Sequence, residues 1–297
     1  MASNLFYLSN SKYGGWVSFS IHLSYLLKQH LNKVSETGIG KGDVGYGIKY
    51  KNVPLGGLKL MENKLILALD KKHREFLPYF KGSSIVIHDP TELDTEVLKF
   101  LESCPQVLTI RQSVKEHLET LGIPSTFLQH PFYEYKKTPQ ETLGKAVSLS
   151  RVDYDKNTEL IVQANNLGAG VDIYGAKNPF YYFHKLKPLG FDDWYKGEYS
   201  RSFKSHSKMY GGYEYLVDLS TIKNDGGGTQ YTFLDADYWG QTIILHKNWI
   251  TENSIFRDGE NCYVVSSPEE LVEALNKPKL KPNIMTTDNQ NWIKLLK

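Results

Sequence analysis

Residues 146–175 read AVSLSRVDYDKNTELIVQANNLGAGVDIYG, and the hydrophobic periodicity of this stretch changes twice. The run at 146–150 has the length and apolar content of a strand, 157–167 reads as a helix, and 171–174 reads as a strand again. Strand, helix and strand in close succession argue for parallel strands joined by a crossover helix. The same pattern continues outward. Downstream, strand candidates fall at 215–218, 242–245 and 263–265, with helices near 201–210, 231–239 and 268–275. Ser267 is the expected cap of the last of these, with Pro268 as first helical residue and Glu270 as reciprocal partner. Upstream, strands are expected at 5–8, 65–69, 85–88, 107–110 and 126–129, and helices start near Val17, Leu93 and Ser113. Ser113 opens an S-x-x-E capping box ending at Glu116, and Gly122 with Pro124 supplies the stop.

A polar stretch without periodicity separates the two series. The expected organisation is a Rossmann-like domain over 1–134, a link over 135–145, a second Rossmann-like domain over 146–285, and a segment 286–297 that packs back on the first. A length of 297 residues suits two α/β domains of about 150 residues each. Hydrophobic residues make up 40% and charged residues 23%, ordinary values for a globular chain, and no run approaches the roughly 20 apolar residues of a membrane span. No membrane partner is expected. The first residues show no basic region followed by an apolar signal core, so a cytoplasmic protein is expected. Cys104 and Cys262 lie far apart without CxxC spacing, which points away from a disulfide framework or a zinc site. A net charge of +2 neither demands nor forbids a nucleic-acid partner. Two local basic runs stand out, one at Lys71, Lys72, His73 and Arg74, the other at Lys196, Arg201, Lys204, His206 and Lys208; solvated faces are the plain alternative.

Four segments carry candidate chemistry. Tyr13-Gly14-Gly15-Trp16 sits between the first strand and an apolar helix, where paired glycines let a ligand approach backbone amides at a helix N-terminus. A flexible turn is the competing reading, and the absence of G-x-G-x-x-G points away from a dinucleotide dehydrogenase. Arg151 stands at the end of a strand and Lys156 follows shortly after. Ligands of open α/β sheets bind at strand ends, and two cations there offset the charge of a diphosphate leaving group. The run DGGGTQYTFLDADYWG over 225–240 feeds glycines into a helix. Amides of Gly227, Gly228, Thr229 and Gln230 are candidates for phosphate oxygens and Asp235 for ribose hydroxyls, against a structural loop with an exposed Asp. Finally, His88-Asp89-Pro90 ends a strand, and either side chain suits an acceptor hydroxyl as orienting group or general base, unless His88 is merely satisfied beside a turn. No G-x-S-x-G, H-E-x-x-H or P-loop is present.

Taken in order, these segments resemble the retaining GT-B glycosyltransferases. The resemblance rests on Gly14-Gly15, on Arg151 with Lys156, on Ile173-Tyr174-Gly175, on GGGTQYTFLDADYWGQTIIL, and on VLTIRQSVKEHLETLGIPSTFLQHPFY in the first half. It implies an α/β GT-B fold, two Rossmann-like domains with parallel sheets facing across a cleft. It also implies metal-independent transfer of a hexose or pentose, with retention, from a nucleotide-diphosphate sugar such as a UDP-sugar, with no further cofactor. Tyr174 and Gly175 join the donor side. Asp235 stands where the family carries a ribose-binding Glu. The family's earlier Glu falls at Gly227, so its sugar-contacting group is absent or replaced, as by Asp225.

The run YTFLDADYWGQTIILHK and the compact length look like the DNA α-glucosyltransferases of T-even bacteriophages, which modify hydroxymethylated cytosine in double-stranded DNA. By that comparison Asp89 lies on the acceptor side, and a phage enzyme would work in the host cytoplasm. Tyr13, Trp16, Lys71, Lys72 and Arg74, with Lys204 and Lys208, would then meet the acceptor. Two other readings compete: a transferase acting on a surface glycan or small molecule, and a non-catalytic nucleotide- or DNA-binding module.

Overall fold

The computed structural model describes residues 3–9, 14–31, 34–38, 42–52, 55–58, 61, 64–138, 140–221, 229–250, 254–285 and 287–295. Tyr13, Asp225, Gly227 and Gly228, named above, lie outside the described residues. The chain divides into two compact units, one comprising Met1–Tyr133 with Thr286–Lys297, the other Glu134–Met285.

The first unit runs β1 (Ser3–Leu8), α1 (Gly15–His30), β2 (Val34–Gly38), β3 (Gly42–Gly45), β4 (Ile48–Asn52), α2 (Leu55–Leu58) and β5 (Lys64–Leu69). A 3₁₀ segment, Lys71–Phe80, leads to β6 (Ser84–Ile87), α3 (Thr95–Leu101), β7 (Val107–Thr109), α4 (Gln112–Thr120) and β8 (Thr126–Phe127). Its eight strands lie in the order β3-β4-β2-β1-β5-β6-β7-β8, parallel except for the β3/β4 pair. Strand alternation decides what each face meets. Phe6, Leu8, Ile66, Ile85 and Ile87 pack with Leu77, Phe80, Val97, Leu101, Val114 and Leu118. Helix α1 contacts β5 and the helix Asn289–Leu295. That last helix is fixed by polar contacts, with Trp292 Nε1 donating to the Gln129 carbonyl at 2.8 Å and Asp288 accepting from the Gln129 amide at 2.7 Å.

The second unit runs β9 (Ala146–Leu149), α5 (Thr158–Asn166), β10 (Val171–Tyr174) and α6 (Pro179–Tyr181), which continues in helical turns to Asp193. Then follow β11 (Tyr195–Gly197), α7 (Phe203–Gly211), β12 (Tyr215–Asp218), α8 (Tyr231–Trp239), β13 (Thr242–His246), β14 (Tyr263–Val265) and α9 (Pro268–Leu275). The six strands are ordered β11-β10-β9-β12-β13-β14 and every pair is parallel. Ala146, Val171, Ile173, Val217 and Ile244 face α5 and α9. Val147, Leu149, Leu216, Ile243 and Leu245 face α7 and α8. Apolar residues on both faces are what a parallel sheet covered on both sides requires.

Several local expectations are corrected. Helix α4 starts at Gln112 with Arg111 as its N-cap and no side-chain cap bond, so Ser113 lies inside the first turn and the capping box does not form. Arg111 stays extended after β7, and its guanidinium reaches Asp89 at 3.5 Å. Ser267 does cap α9, accepting from Glu270 N at 3.2 Å, but the Glu270 carboxylate takes the amide of Ser266, one residue earlier, at 2.6 Å. Strands β2 to β4 and β11 escaped the sequence reading. Their sequences VSETG, GDVG, IKYKN and YKG are short and polar, without the apolar alternation that marks a strand.

Candidate functional site

Both sheets have a topological switch point, where the strand order reverses and the loops leave in opposite directions. In open α/β sheets ligands bind outside the carboxyl ends of the strands at that point. In the second unit it lies between β9 and β12, and in the first between β1 and β5.

Beside that point, at the ends of β9 and β10, the backbone is drawn close by Gly175, which follows β10 with φ +142°. A Cβ there would stand 1.8 Å from the Ser150 carbonyl oxygen, so only glycine permits this approach. Arg151, next along, has a half-exposed side chain paired with Asp153 at 3.1 Å and Asp155 at 3.5 Å. Such exposed pairs are worth about 0–1 kcal/mol, so the guanidinium can leave them for another anion at little cost. Lys156 is more enclosed. Its Nζ is 2.8 Å from Ser220 Oγ and 3.5 Å from Asp155. Ser220 in turn donates to Asp218 through both amide and hydroxyl. The other Asp218 oxygen accepts from Gln230 Nε2 at 2.7 Å and Thr232 Oγ1 at 2.9 Å. Buried Asp218 thus ties the end of β12 to the start of α8 and, through Ser220, to Lys156. The sequence reading missed Asp218 and Ser220, although Asp218 stands at a strand end as Arg151 does. Thr229, beside Gln230, is buried, and its Oγ1 has no hydrogen-bond partner among the described residues.

Two donor-side candidates are placed otherwise than expected. Tyr174 packs against the cluster on the α7/α8 face, its hydroxyl 3.4 Å from that of Tyr213. Asp235 is 1% exposed. It accepts from the Tyr135 hydroxyl at 2.7 Å and lies 3.7 Å from His206 Nδ1. Burial raises the Asp235 carboxyl to about 8, against the opposing effect of the Tyr135 bond, and lowers the His206 imidazole to about 3. A carboxyl enclosed in this way faces the interior of the unit rather than solvent. Tyr135, from the stretch read as a link, is itself buried, with its carbonyl accepting from the Tyr238 hydroxyl at 2.6 Å. His206 is likewise buried, whereas Lys204 and Lys208 are exposed.

In the first unit, Gly14 caps α1 with φ 93° and ψ −172° and no side-chain bond. Cβ atoms at Gly14 and Gly15 would meet nothing within 4 Å among the described residues. His88, Arg111 and His130 follow β6, β7 and β8 in turn. His88 is buried against Phe19, with ring centroids 4.8 Å apart, and its Nε2 is 2.7 Å from the Leu67 carbonyl. That carbonyl can only accept, so Nε2 carries the proton and Nδ1 is left as an acceptor. Burial lowers the imidazole to about 4, so His88 is neutral near pH 7 and a weak base. His130 is lowered to about 3 by burial, with the nearby His88 and Arg111 acting in the same direction. Asp89 is the partly exposed carboxylate of the group. It caps the turn Pro90–Glu92 by accepting from Thr91 N at 2.9 Å and pairs with Arg111.

Two other acceptor-side candidates are bound up in the structure. Trp16 donates its indole N–H to Glu92 Oε1 at 2.9 Å. Arg74 is not a solvent-facing cation: its side chain is 9% exposed, paired with Asp94, and donates to the Glu92 carbonyl at 3.0 Å. Lys71 and Lys72 are exposed at the start of the 3₁₀ segment. Among the described residues no three His, Cys, Asp or Glu side chains are grouped to hold a metal ion. No helix among them is long and apolar enough to cross a membrane.

No protein-family model matches the sequence, and no curated protein matches it. Solved structures do match. An α-glucosyltransferase in complex with UDP aligns with a TM-score of 0.68 at 10% identity, covering 100% of both chains. An α-glucosyltransferase with UDP and a 13-mer DNA containing an HMU base gives 0.68 at 10% identity, over 99% of this chain and 93% of that one. HepE of Anabaena, in complex with UDP and glucose, gives 0.65 at 12% identity, over 92% and 88%. These likenesses are of backbone rather than of side chains, and with the two switch-point sheets they show that the chain has the GT-B fold, built from two Rossmann-like units.

Proposed function

We propose that the protein is a glycosyltransferase that takes a sugar from a nucleotide-diphosphate sugar, with a UDP-sugar as donor, and passes it to an acceptor hydroxyl. The observation that carries this reading is the arrangement at the β9/β12 switch point, where Arg151 follows β9 and Lys156 is linked through Ser220 and Asp218 to Gln230, the N-cap of α8. Glycosyl transfer leaves a nucleoside diphosphate, and its developing negative charge needs fixed positive groups. Lys156 is held in place by Ser220 and Asp218 before any ligand arrives, so little reorganisation is required. Arg151 becomes available by leaving two weak exposed pairs. The start of α8 has no acidic side chain in its first turn and adds the positive end of the helix dipole.

The acceptor hydroxyl is assigned to the first unit. There Asp89 is the carboxylate suited to take or orient its proton, and neutral His88 presents Nδ1 as an acceptor. For the acceptor itself we propose a 5-hydroxymethylpyrimidine in DNA. The full-length match to α-glucosyltransferase structures, one of them bound to DNA with an HMU base, supports that choice.

The test is incubation with a panel of nucleotide sugars and with DNA containing hydroxymethylpyrimidines, followed by mass analysis of the nucleosides. A hexose or pentose added to the modified base is the expected result. No added mass on any DNA, with donor turnover still present, removes DNA as acceptor and leaves the transferase. Tight UDP binding with neither hydrolysis nor transfer removes the enzyme reading.

A further inference from the structure

Glu92 is the least explained side chain near the proposed acceptor groups. It lies in the turn Pro90–Glu92, is 8% exposed, and was not singled out by any sequence motif. Its two carboxylate oxygens have different partners. Oε1 accepts from Trp16 Nε1 at 2.9 Å, and Oε2 accepts from the His88 amide at 3.1 Å. Trp16 belongs to the first turn of α1, directly after Gly14-Gly15, and His88 begins the loop after β6. One carboxylate therefore joins the glycine turn to the His88-Asp89 loop, which are separated by 76 residues for the Trp16 bond. The backbone of Glu92 is held as well, since Arg74 donates to its carbonyl and pairs with Asp94 beyond it. Asp89 caps the same turn, so the loop carrying the proposed base is fixed at both ends.

A plain capping arrangement explains only half of this. In a capping box the third helical residue reaches back to the amide of the N-cap; here the N-cap is Asp89 and the bond goes to His88 N, one residue earlier, as the Glu270 bond does at Ser266. It gives no account of the Trp16 bond or of the burial. A buried carboxyl is costly unless something is gained from its hydrogen bonds. Both of its partners are donors, so both oxygens must accept, which a carboxyl does through a lone pair on each oxygen and a carboxamide, with NH₂ in place of one, cannot.

We propose that Glu92 is a positioning residue of the first-unit site, clamping the Gly14-Gly15 turn to the His88-Asp89 loop so that Asp89 and His88 hold their place for the acceptor hydroxyl. The functional part of this rests on the glycosyltransferase reading; the clamp itself does not. Glu92→Gln keeps size and shape but sets an NH₂ group against one of the two donors. Trp16→Phe removes the other arm alone. In protein labelled with 5-fluorotryptophan, the ¹⁹F resonance assigned to Trp16 by its loss in Trp16→Phe should move in Glu92→Gln. In the unsubstituted protein it should titrate near pH 8, the value to which burial raises this carboxyl, with Asp89 and Arg111 as the neighbouring charges; in Glu92→Gln it should not. Amide exchange in the segment around His88 should rise about tenfold in Glu92→Gln and less in Trp16→Phe. In transfer assays Glu92→Gln should lose about tenfold in kcat, with the donor KM unchanged.

An unmoved Trp16 resonance together with unchanged exchange overturns the clamp. Altered resonance and exchange with an unchanged kcat overturns the positioning role. If the unsubstituted protein transfers no sugar at all, the functional reading fails while the resonance and exchange still decide the clamp.

Discussion

Gly175→Ala tests the strand-end geometry on which the proposed donor site depends. A Cβ at this position would lie 1.8 Å from the Ser150 carbonyl oxygen and 2.8 Å from the Ser150 carbonyl carbon. Both are backbone atoms, so no rotamer change relieves the overlap. The φ of +142° adds a second cost, because this region is open essentially to glycine alone. Backbone strain of roughly 1–3 kcal/mol and overpacking of roughly 1–3 kcal/mol together give about 2–6 kcal/mol. For a unit of this size that corresponds to a fall in Tm of roughly 5–20 °C. The alternative to unfolding is that β9 and β10 move apart, which carries Ser150 and Arg151 with them and also strains the bonds from Gly175 N to Gly197 O at 3.0 Å and from Tyr195 hydroxyl to Gly175 O at 2.8 Å. Thermal unfolding and UDP titration read the two responses separately. A Tm within about 1 °C of the unsubstituted protein, together with unchanged UDP affinity, would refute the claim that the close approach of these strand ends builds the site.

Arg151→Ala and Lys156→Ala should each lower kcat/KM by at least about tenfold in the transfer assay, the effect of about 1.4 kcal/mol lost from the transition state; full activity in both would remove the leaving-group role. Asp218→Ala leaves the Ser220, Gln230 and Thr232 donors without their acceptor and should cost about 2–4 kcal/mol by urea unfolding, with weaker UDP binding as Lys156 loses its Ser220 anchor. For Asp235 the linkage has a definite sign. Its folded-state value near 8 exceeds the ordinary 3.8, so the folded state keeps a proton that the unfolded chain releases, and stability falls as pH rises from about 4 to about 8 and then levels off. Asp235→Asn should flatten that dependence and leave UDP affinity within about twofold; a tenfold loss of affinity would return Asp235 to the ribose.

What was legible in the sequence follows the physics of each element. Helix α8 is bounded by glycines before it and by Gly240, which ends it at φ 71°, and its expected limits coincide with those observed. Helix α9 has Ser267, Pro268 and Glu270 at its start, and its limits also coincide. Strands buried on both faces announce themselves as apolar runs, hence β9, β12 and β13, while β10 and β14 show one fully buried face. The short strands at the sheet edges are held by backbone pairing more than by side chains, and polar sequence such as IKYKN carries no trace of that. Glu92 and Asp218 were missed for a related reason. Each acts through hydrogen bonds to residues distant in the sequence, Trp16 for the one and Gln230 for the other, and single-sequence patterns report only neighbours.

Asp235 shows how burial bears on a role that a resemblance suggests. The resemblance sets Asp235, on helix α8, where the family carries a Glu. Asp is one methylene shorter, and here Tyr135 sends its hydroxyl to within 2.7 Å while Trp239 Nε1 donates to the same hydroxyl at 3.1 Å. Once those bonds form, releasing the carboxyl toward a ligand would leave a buried tyrosine hydroxyl without its acceptor, at a cost of about 1–3 kcal/mol. On the proposed function a ribose contact then falls to other polar atoms at the start of α8, among them Thr229 Oγ1, buried and without a hydrogen-bond partner among the described residues. A backbone of this fold is matched at 10% identity over the whole chain, so likeness of fold does not fix the task of any one side chain.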